Sequence, residues 1–322
     1  MEDSLAQKRI IFMGTPEFAV GSLDALLRAG IRVSAVVTAP DRPAGRGRQL
    51  RMSAVKRYAI EHGLPVLQPE KLRDPVFLEA LDGYAADLFV VVAFRMLPAA
   101  VWQRPRLGTI NLHASLLPSY RGAAPINWAI INGERITGAT TFFIREEVDT
   151  GDIIDQVQVE IGPEENAGQL HDRLMTAGAA LLVRTIQHVL RGTHSSRPQT
   201  AGTLPLPTAP KLSSEGCRID WTEAAAKVHD QIRGLSPHPG AWTQLRFGDG
   251  RTIHFKVLAG RPADATVPVR PPGSVHAPEG RLLIHCRDGC LEALDVQPEG
   301  KRRMTAAEFL RGAGHLEGAC CL

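Results

Sequence analysis

The sequence predicts an α/β domain built on a mostly parallel sheet, followed by a second domain shaped as a small β-barrel. Strand-like and helix-like segments alternate through the first half of the chain. A stretch dense in Ser, Thr, Gly and Pro then interrupts the pattern, and several short strand-like runs with Gly and Pro turns follow it. At 322 residues the chain exceeds the usual single-domain size, so two domains are expected.

Taken in order, Arg9 to Met13 is an apolar, β-branched run that stops at Gly14, and a helix runs from there to Ala29. Thr15 is its candidate N-cap, with Pro16 in the first turn. Val33 to Thr38 reads as a strand, Ala54 to His62 as a helix ended by Gly63, and Asp74 to Leu81 as another helix. Leu88 to Phe94 and Thr109 to His113 are the next strands. Continuously apolar strands alternating with helices argue for a parallel sheet covered on both faces. Gly138 to Ile144 and Asp152 to Val159 look like a hairpin, and Ala167 to Leu190 is a long helix with apolar residues on one face. Arg191 to Pro210 lacks periodicity and reads as a linker. The first domain is therefore expected over residues 1–206, its linker beginning near 191, and the second over 207–322. In the second, Ala224 to Arg233 is a helix, and strands follow at Ala241 to Phe247, Thr252 to Ala259, Gly273 to Val275, Leu282 to His285 and Cys290 to Gln297. A small barrel of this kind suits a nucleic-acid partner.

Composition narrows the class. Hydrophobic residues at 44% and charged residues at 22% are those of a soluble globular protein with a real core. A net charge of +3 permits a polyanionic partner without requiring one. The five cysteines are odd in number and form no CxxC pair, so neither a disulfide framework nor a zinc site is expected. The N-terminus is charged, without a signal peptide, and the most apolar run is far too short to span a bilayer. A cytoplasmic protein is expected.

Three stretches carry chemistry-bearing residues. In Asn111-Leu112-His113, side chains at i and i+2 of a strand point to one face, so an amide and an imidazole converge. Such a pair suits acyl transfer, where an oxyanion is held and a proton moved; a turn cap and a core histidine are the alternative. Asp149, in Val148-Asp149-Thr150-Gly151-Asp152, either forms a plain turn or orients and charge-stabilises an imidazole. The loop Asp41 to Arg51 carries Arg42, Arg46, Arg48 and Arg51, which suits phosphate contact or a solvated surface equally. Gly14 stands at the first crossover, as a turn residue or as a point of ligand approach, but no GxGxxG surrounds it and a dinucleotide is disfavoured.

Together, RIIFMGTPEFA, PDRPAGRGRQL, NLHASLLPSYRGAAPINWAI, the DTGD turn and IDW…IRGLSPHPGAW resemble the methionyl-tRNA formyltransferases of the folate-dependent formyltransferase family. The resemblance runs from Arg9 to about Trp242, with a weaker β-rich match beyond. It implies a Rossmann-like domain with a C-terminal OB-like barrel that contributes to tRNA binding. It also implies formyl transfer from 10-formyltetrahydrofolate, a co-substrate, to the α-amine of methionyl initiator tRNA, without a metal and by a monomer. By the family's motifs, Asn111, His113 and Asp149 are catalytic, Ser115, Leu116, Leu117 and Pro118 contact folate, and Arg42, Arg46 and Arg48 contact tRNA. One departure is Val91 to Pro98, which reads VVAFRMLP where the family has VVAYGxILP, lining the pterin pocket. The competing functions are a sugar-amine formyltransferase, a formyltetrahydrofolate hydrolase and a non-catalytic tRNA-binding protein.

Overall fold

The computed structural model describes residues 7–44, 49–200, 205–263, 270–314 and 316–322, so Arg46 and Arg48 lie outside the described residues. The chain forms two compact units that no single cut in the sequence separates. Met1–Gly122, Thr137–Val159 and His171–Thr208 make the first, and Ala123–Ile136, Glu160–Leu170 and Ala209–Leu322 the second.

In the first unit, β1 (Ile10–Gly14), β2 (Val33–Val37), β3 (Val66–Leu67), β4 (Leu88–Val92), β5 (Thr109–His113), β6 (Ile136–Phe143) and β7 (Ile153–Glu160) form one sheet. Their order is β7-β6-β5-β4-β1-β2-β3. Pairing is parallel from β3 through β5, and β6 joins β5 antiparallel. Parallel strands must be covered on both faces, and residues of both alternations are buried in β1 and β4. On one face, Ile11, Met13, Val37, Phe89 and Val91 pack with Phe77 and Leu81 of the helix Pro75–Gly83. On the other lies the helix Ala167–Arg191, whose Gly178 is so close to β5 that a Cβ there would meet Leu112 at 3.1 Å. Each fully buried aliphatic side chain contributes about 1.5–3 kcal/mol.

Helix boundaries follow local chemistry with one correction. Thr15 does not cap the first helix, Glu17–Arg28; Pro16 occupies the N-cap with φ −82° and no side-chain cap bond forms. The proline ring already holds the backbone in a conformation the N-cap tolerates, which moves the helix start one residue on. Ser53 and Asp74 do cap their helices, accepting from the backbone N–H of Lys56 and Val76. β4 stops at Val92 rather than Phe94, because Ala93 turns into the left-handed region at φ +47°.

The segment following the long helix is more than a linker. Arg197 and Ile153 exchange both backbone hydrogen bonds, at 2.8 and 2.9 Å. The outermost strand β7 offers unpaired N–H and C=O groups, and an extended aperiodic segment can satisfy them without any periodic signal.

The second unit holds a barrel of β8 (Ala241–Arg246), β9 (Thr252–Pro262), β10 (Val275–His276), β11 (Leu282–His285), β12 (Cys290–Pro298) and β13 (Cys320–Cys321), in the order β10-β11-β12-β9-β8-β13. Neighbouring strands are antiparallel. The ends of the sheet meet where Val275 donates to Ala319 and Cys321 donates to Gly273, at 3.1 and 2.7 Å, so the barrel is nearly closed. β13 and the helix Ala306–Gly312 were not anticipated; the helix begins in a capping box of Thr305 and Glu308. Phe255, Val257, Leu291, Val296 and Phe309 fill the barrel core. The helix Ala225–Leu235 packs so tightly on Pro125–Ile131 that a Cβ at Gly234 would lie 2.6 Å from Ile131.

Candidate active site

From β1 the chain builds outward through β2 to β3, then returns to the other side of β1 to lay down β4 and β5. In open α/β sheets, ligand crevices form at the carboxyl ends of the strands where the order reverses. Gly14, Val92 and His113 are the last residues of β1, β4 and β5. Gly14 has no room for a side chain, since a Cβ would lie 2.6 Å from that of Ala19 and 3.0 Å from the Val92 carbonyl oxygen. Its smallness serves the protein's own packing at the first crossover.

Register places Asn111 opposite Phe142 and His113 opposite Thr140, all on one face of the sheet. His113 is buried, and its Nε2 lies 2.8 Å from the carbonyl oxygen of Tyr120. A carbonyl only accepts, so Nε2 carries the hydrogen and the neutral ring keeps its lone pair on Nδ1. That nitrogen lies 3.7 Å from Oδ2 of Asp149. The separation is too long for a hydrogen bond and falls within ion-pair distance. Asn111 is half-buried, and its amide holds no hydrogen bond to a described residue.

Asp149 comes from a loop rather than a strand. Its backbone is left-handed, at φ +56°, a conformation that costs a non-glycine residue about 1–3 kcal/mol and persists only where surroundings over-determine it. Several contacts do so. The backbone N–H of Gly122 donates to Asp149 Oδ2 at 3.0 Å. Gln199 Nε2 donates to the carbonyl oxygens of Asp149 and Gly151 at 2.9 and 2.8 Å. Gly151 presses against β6, where a Cβ would fall 1.5 Å from the Phe143 carbonyl oxygen.

The turn after β5 is held from below. Thr140 Oγ1 donates to the Ser115 carbonyl at 2.7 Å and accepts from the Leu117 N–H at 3.1 Å. Gln156 Nε2 donates to the Leu117 carbonyl and to Thr140 Oγ1, at 3.0 and 2.9 Å. The Ser115 hydroxyl donates to the Ser119 carbonyl at 2.7 Å, and Leu117 is buried against Phe142 and Ile153. Leu116 and Pro118 are only half-buried, and the Leu117–Pro118 peptide is cis. Arg42 is exposed in a short strand, Arg42–Ala44, where it pairs with Arg51 of the strand Gln49–Arg51. Among the described residues no group of His, Cys, Asp and Glu is arranged to hold a metal.

Thus His113 and Asp149 are brought together, with Asn111 on the same strand face as His113, whereas Arg42 belongs to a separate hairpin. Sequence reasoning missed Thr140, Gln156, Gln199 and Arg121, whose guanidinium donates to the Gln199 amide oxygen at 3.1 and 2.6 Å. Arg121 lies in the run that drew attention to Asn111 and His113, but Gln199 sits in an aperiodic segment where spacing carries no signal.

Residues 8–186 match the formyl transferase family model, and residues 211–314 match the formyl transferase C-terminal domain. The chain belongs to the formyl transferase family. A methionyl-tRNA formyltransferase of Bacteroides fragilis is 47% identical to it over 308 residues, covering 94% of each chain. One of Parabacteroides distasonis is 49% identical over 311 residues, covering 94% of this chain and 95% of the relative. Among solved structures, HypX from Aquifex aeolicus in complex with tetrahydrofolic acid aligns with a TM-score of 0.63 at 19% identity, over 94% of this chain and 46% of that one. That likeness is one of fold.

Phe94 and Arg95 directly follow Ala93, where the chain leaves β4. The Arg95 guanidinium donates to the Glu70 carbonyl at 2.8 Å and to that of Pro69, and lies 5.7 Å from the Phe94 ring centroid. Burial, and then the charge of Arg42, lower its pKa from the usual arginine value. The pair therefore fastens the segment after β4 to residues 69–70.

Proposed function

We infer that this chain transfers the formyl group of 10-formyltetrahydrofolate to the α-amine of methionyl initiator tRNA, for translation initiation. The observation that carries this is identity near one half with methionyl-tRNA formyltransferases across both domains. Transfer needs a neutral amine that attacks the formyl carbon. The new C–N bond forms as the carbonyl electron pair moves to oxygen, and the C–N10 bond then breaks to release tetrahydrofolate, with a proton delivered to N10.

In our assignment Asn111, its amide uncommitted, donates to the developing oxyanion. His113 takes the proton shed by the amine on Nδ1 and returns it toward N10, and Asp149 stabilises the imidazolium in between. A positioned acid/base group contributes about 10²–10⁴-fold, and a prealigned oxyanion donor a comparable factor. For the folate we assign the turn Ser115, Leu116, Leu117 and Pro118. With the Ser115 hydroxyl and the Leu117 side chain turned inward, contact falls to Leu116, Pro118 and the backbone.

For the tRNA we assign the Arg42 hairpin and the barrel. Arg42 and Arg51 face each other as like charges, an arrangement that destabilises an isolated hairpin and that a phosphate relieves. Arg42→Ala is expected to weaken tRNA binding and reduce its salt slope by about one; an unchanged slope removes the hairpin from the interface. We place the reaction in the cytoplasm and assign a monomer; no helix among the described residues is long and apolar enough to cross a membrane.

The test is incubation with 10-formyltetrahydrofolate and, separately, charged initiator tRNA, charged elongator methionine tRNA, free methionine, a sugar amine or no acceptor. Formyl-methionyl initiator tRNA is the expected product. Formate released without an acceptor identifies a hydrolase, a formylated sugar amine identifies the other transferase, and tRNA retention without chemistry identifies a binder.

A further inference from the structure

We propose that Gln199 is a positioning residue for formyl transfer, holding the Asp149 carboxylate in register with His113 from a segment that supplies no reacting group. The inference rests on the functional assignment above and adds to it a residue in the segment beyond the long helix.

The Gln199 amide has its hydrogen-bonding capacity filled in one orientation. Its oxygen accepts from Arg121 Nε and a terminal Arg121 nitrogen, at 3.1 and 2.6 Å. Its nitrogen donates to the carbonyls of Asp149 and Gly151. Reversing the amide would set its N–H groups against a guanidinium and its oxygen against two carbonyls, so the partners fix its orientation. Arg121 follows the turn after β5 and adjoins Gly122, whose N–H holds the Asp149 carboxylate. Gln199 therefore clamps the strand-borne side of the site to the loop-borne side.

The segment bearing Gln199 is itself anchored. Two residues earlier, on the same side of the extended chain, Arg197 pairs its backbone with Ile153. Its guanidinium donates to Gln156 Oε1 at 2.7 Å, and Gln156 in turn holds the carbonyl of Leu117. One strap thus reaches the turn after His113 through Arg197 and the Asp149 loop through Gln199.

Two variants separate the clamp from mere stability. Gln199→Ala removes all four hydrogen bonds. Gln199→Glu keeps an acceptor for Arg121 but removes the donors to the loop. Both are expected to lower kcat about 10- to 100-fold with KM for folate and tRNA near wild type, since misplacement of a group near the chemistry has that scale. In an Asp149→Asn background, Gln199→Ala should lower kcat less than about three-fold further, because the two act through one interaction. Hydrogen exchange at residues 149–151 should rise in both variants while the central strands remain protected.

Wild-type kcat in Gln199→Glu, an effect confined to KM, full additivity with Asp149→Asn, or unchanged exchange in the loop would each overturn the proposal. If the wild-type chain forms no formyl-methionyl product, the functional assignment fails, while hydrogen exchange still decides whether Gln199 holds the loop.

Discussion

His113 and Asp149 meet at 3.7 Å, yet the chain delivers them by opposite means. His113 ends a sheet strand with a paired neighbour on each side, so its direction follows from the pleat. Asp149 sits on a loop in a left-handed conformation, and its direction follows from contacts supplied by Gly122, Gly151 and Gln199. The strand-borne group is set by regular structure that exists for other reasons. The loop-borne group depends on contacts from several distant segments, and small changes in any of them can move it.

His113→Ala tests the strand side and has the largest expected effect. It should reduce kcat by about 10²–10⁴-fold while leaving tRNA affinity close to wild type, as read by single-turnover formylation and a binding titration. Turnover that survives would remove His113 from the chemistry. Gly151→Ala tests the loop side without touching a titratable group. Its Cβ cannot lie 1.5 Å from the Phe143 carbonyl, so the loop must shift and kcat should fall about 10-fold or more, with a measurable loss of thermal stability. Activity and melting temperature equal to wild type would show a compliant loop and break the contrast with β5.

Thr140→Val makes the smallest change. It preserves side-chain shape but leaves the Leu117 N–H and the Ser115 carbonyl without their side-chain partner, at about 1–3 kcal/mol for each buried group left unsatisfied. Folate KM should rise with kcat nearly constant, since the turn lies beyond His113. A fall in kcat at constant KM would mean that the turn shapes His113 rather than the folate contact.

The same contrast explains what the sequence made legible. Short apolar runs and helical patterning placed most of the main sheet strands and long helices, since those patterns follow from which faces are buried. Thr109–His113 emerged with both ends correct because apolar Ile110 and Leu112 alternate with polar residues between Gly108 and a proline-bearing turn. Asn111 and His113 were visible as a same-face pair for that reason. Asp149 stood out from the residues only as a turn carboxylate with two readings, and the family resemblance chose between them, because its relation to His113 is made by tertiary structure. Gln199 and Gln156 left no trace, since a side chain that satisfies a distant carbonyl has no characteristic spacing. The strand Cys320–Cys321 escaped because two residues are too few for periodicity; it exists by pairing with Leu245 and Arg246.

The interleaving of the two units has a consequence for synthesis. The helix Pro125–Ile131 packs on Ala225–Leu235, its sequence partner roughly 90 residues later. At about 5–20 residues per second, the ribosome takes roughly 5–20 s to deliver that partner. Throughout the interval this helix waits with Ile131 lacking the surface it will cover. A nascent chain halted near Leu206 would therefore present this helix to chaperones.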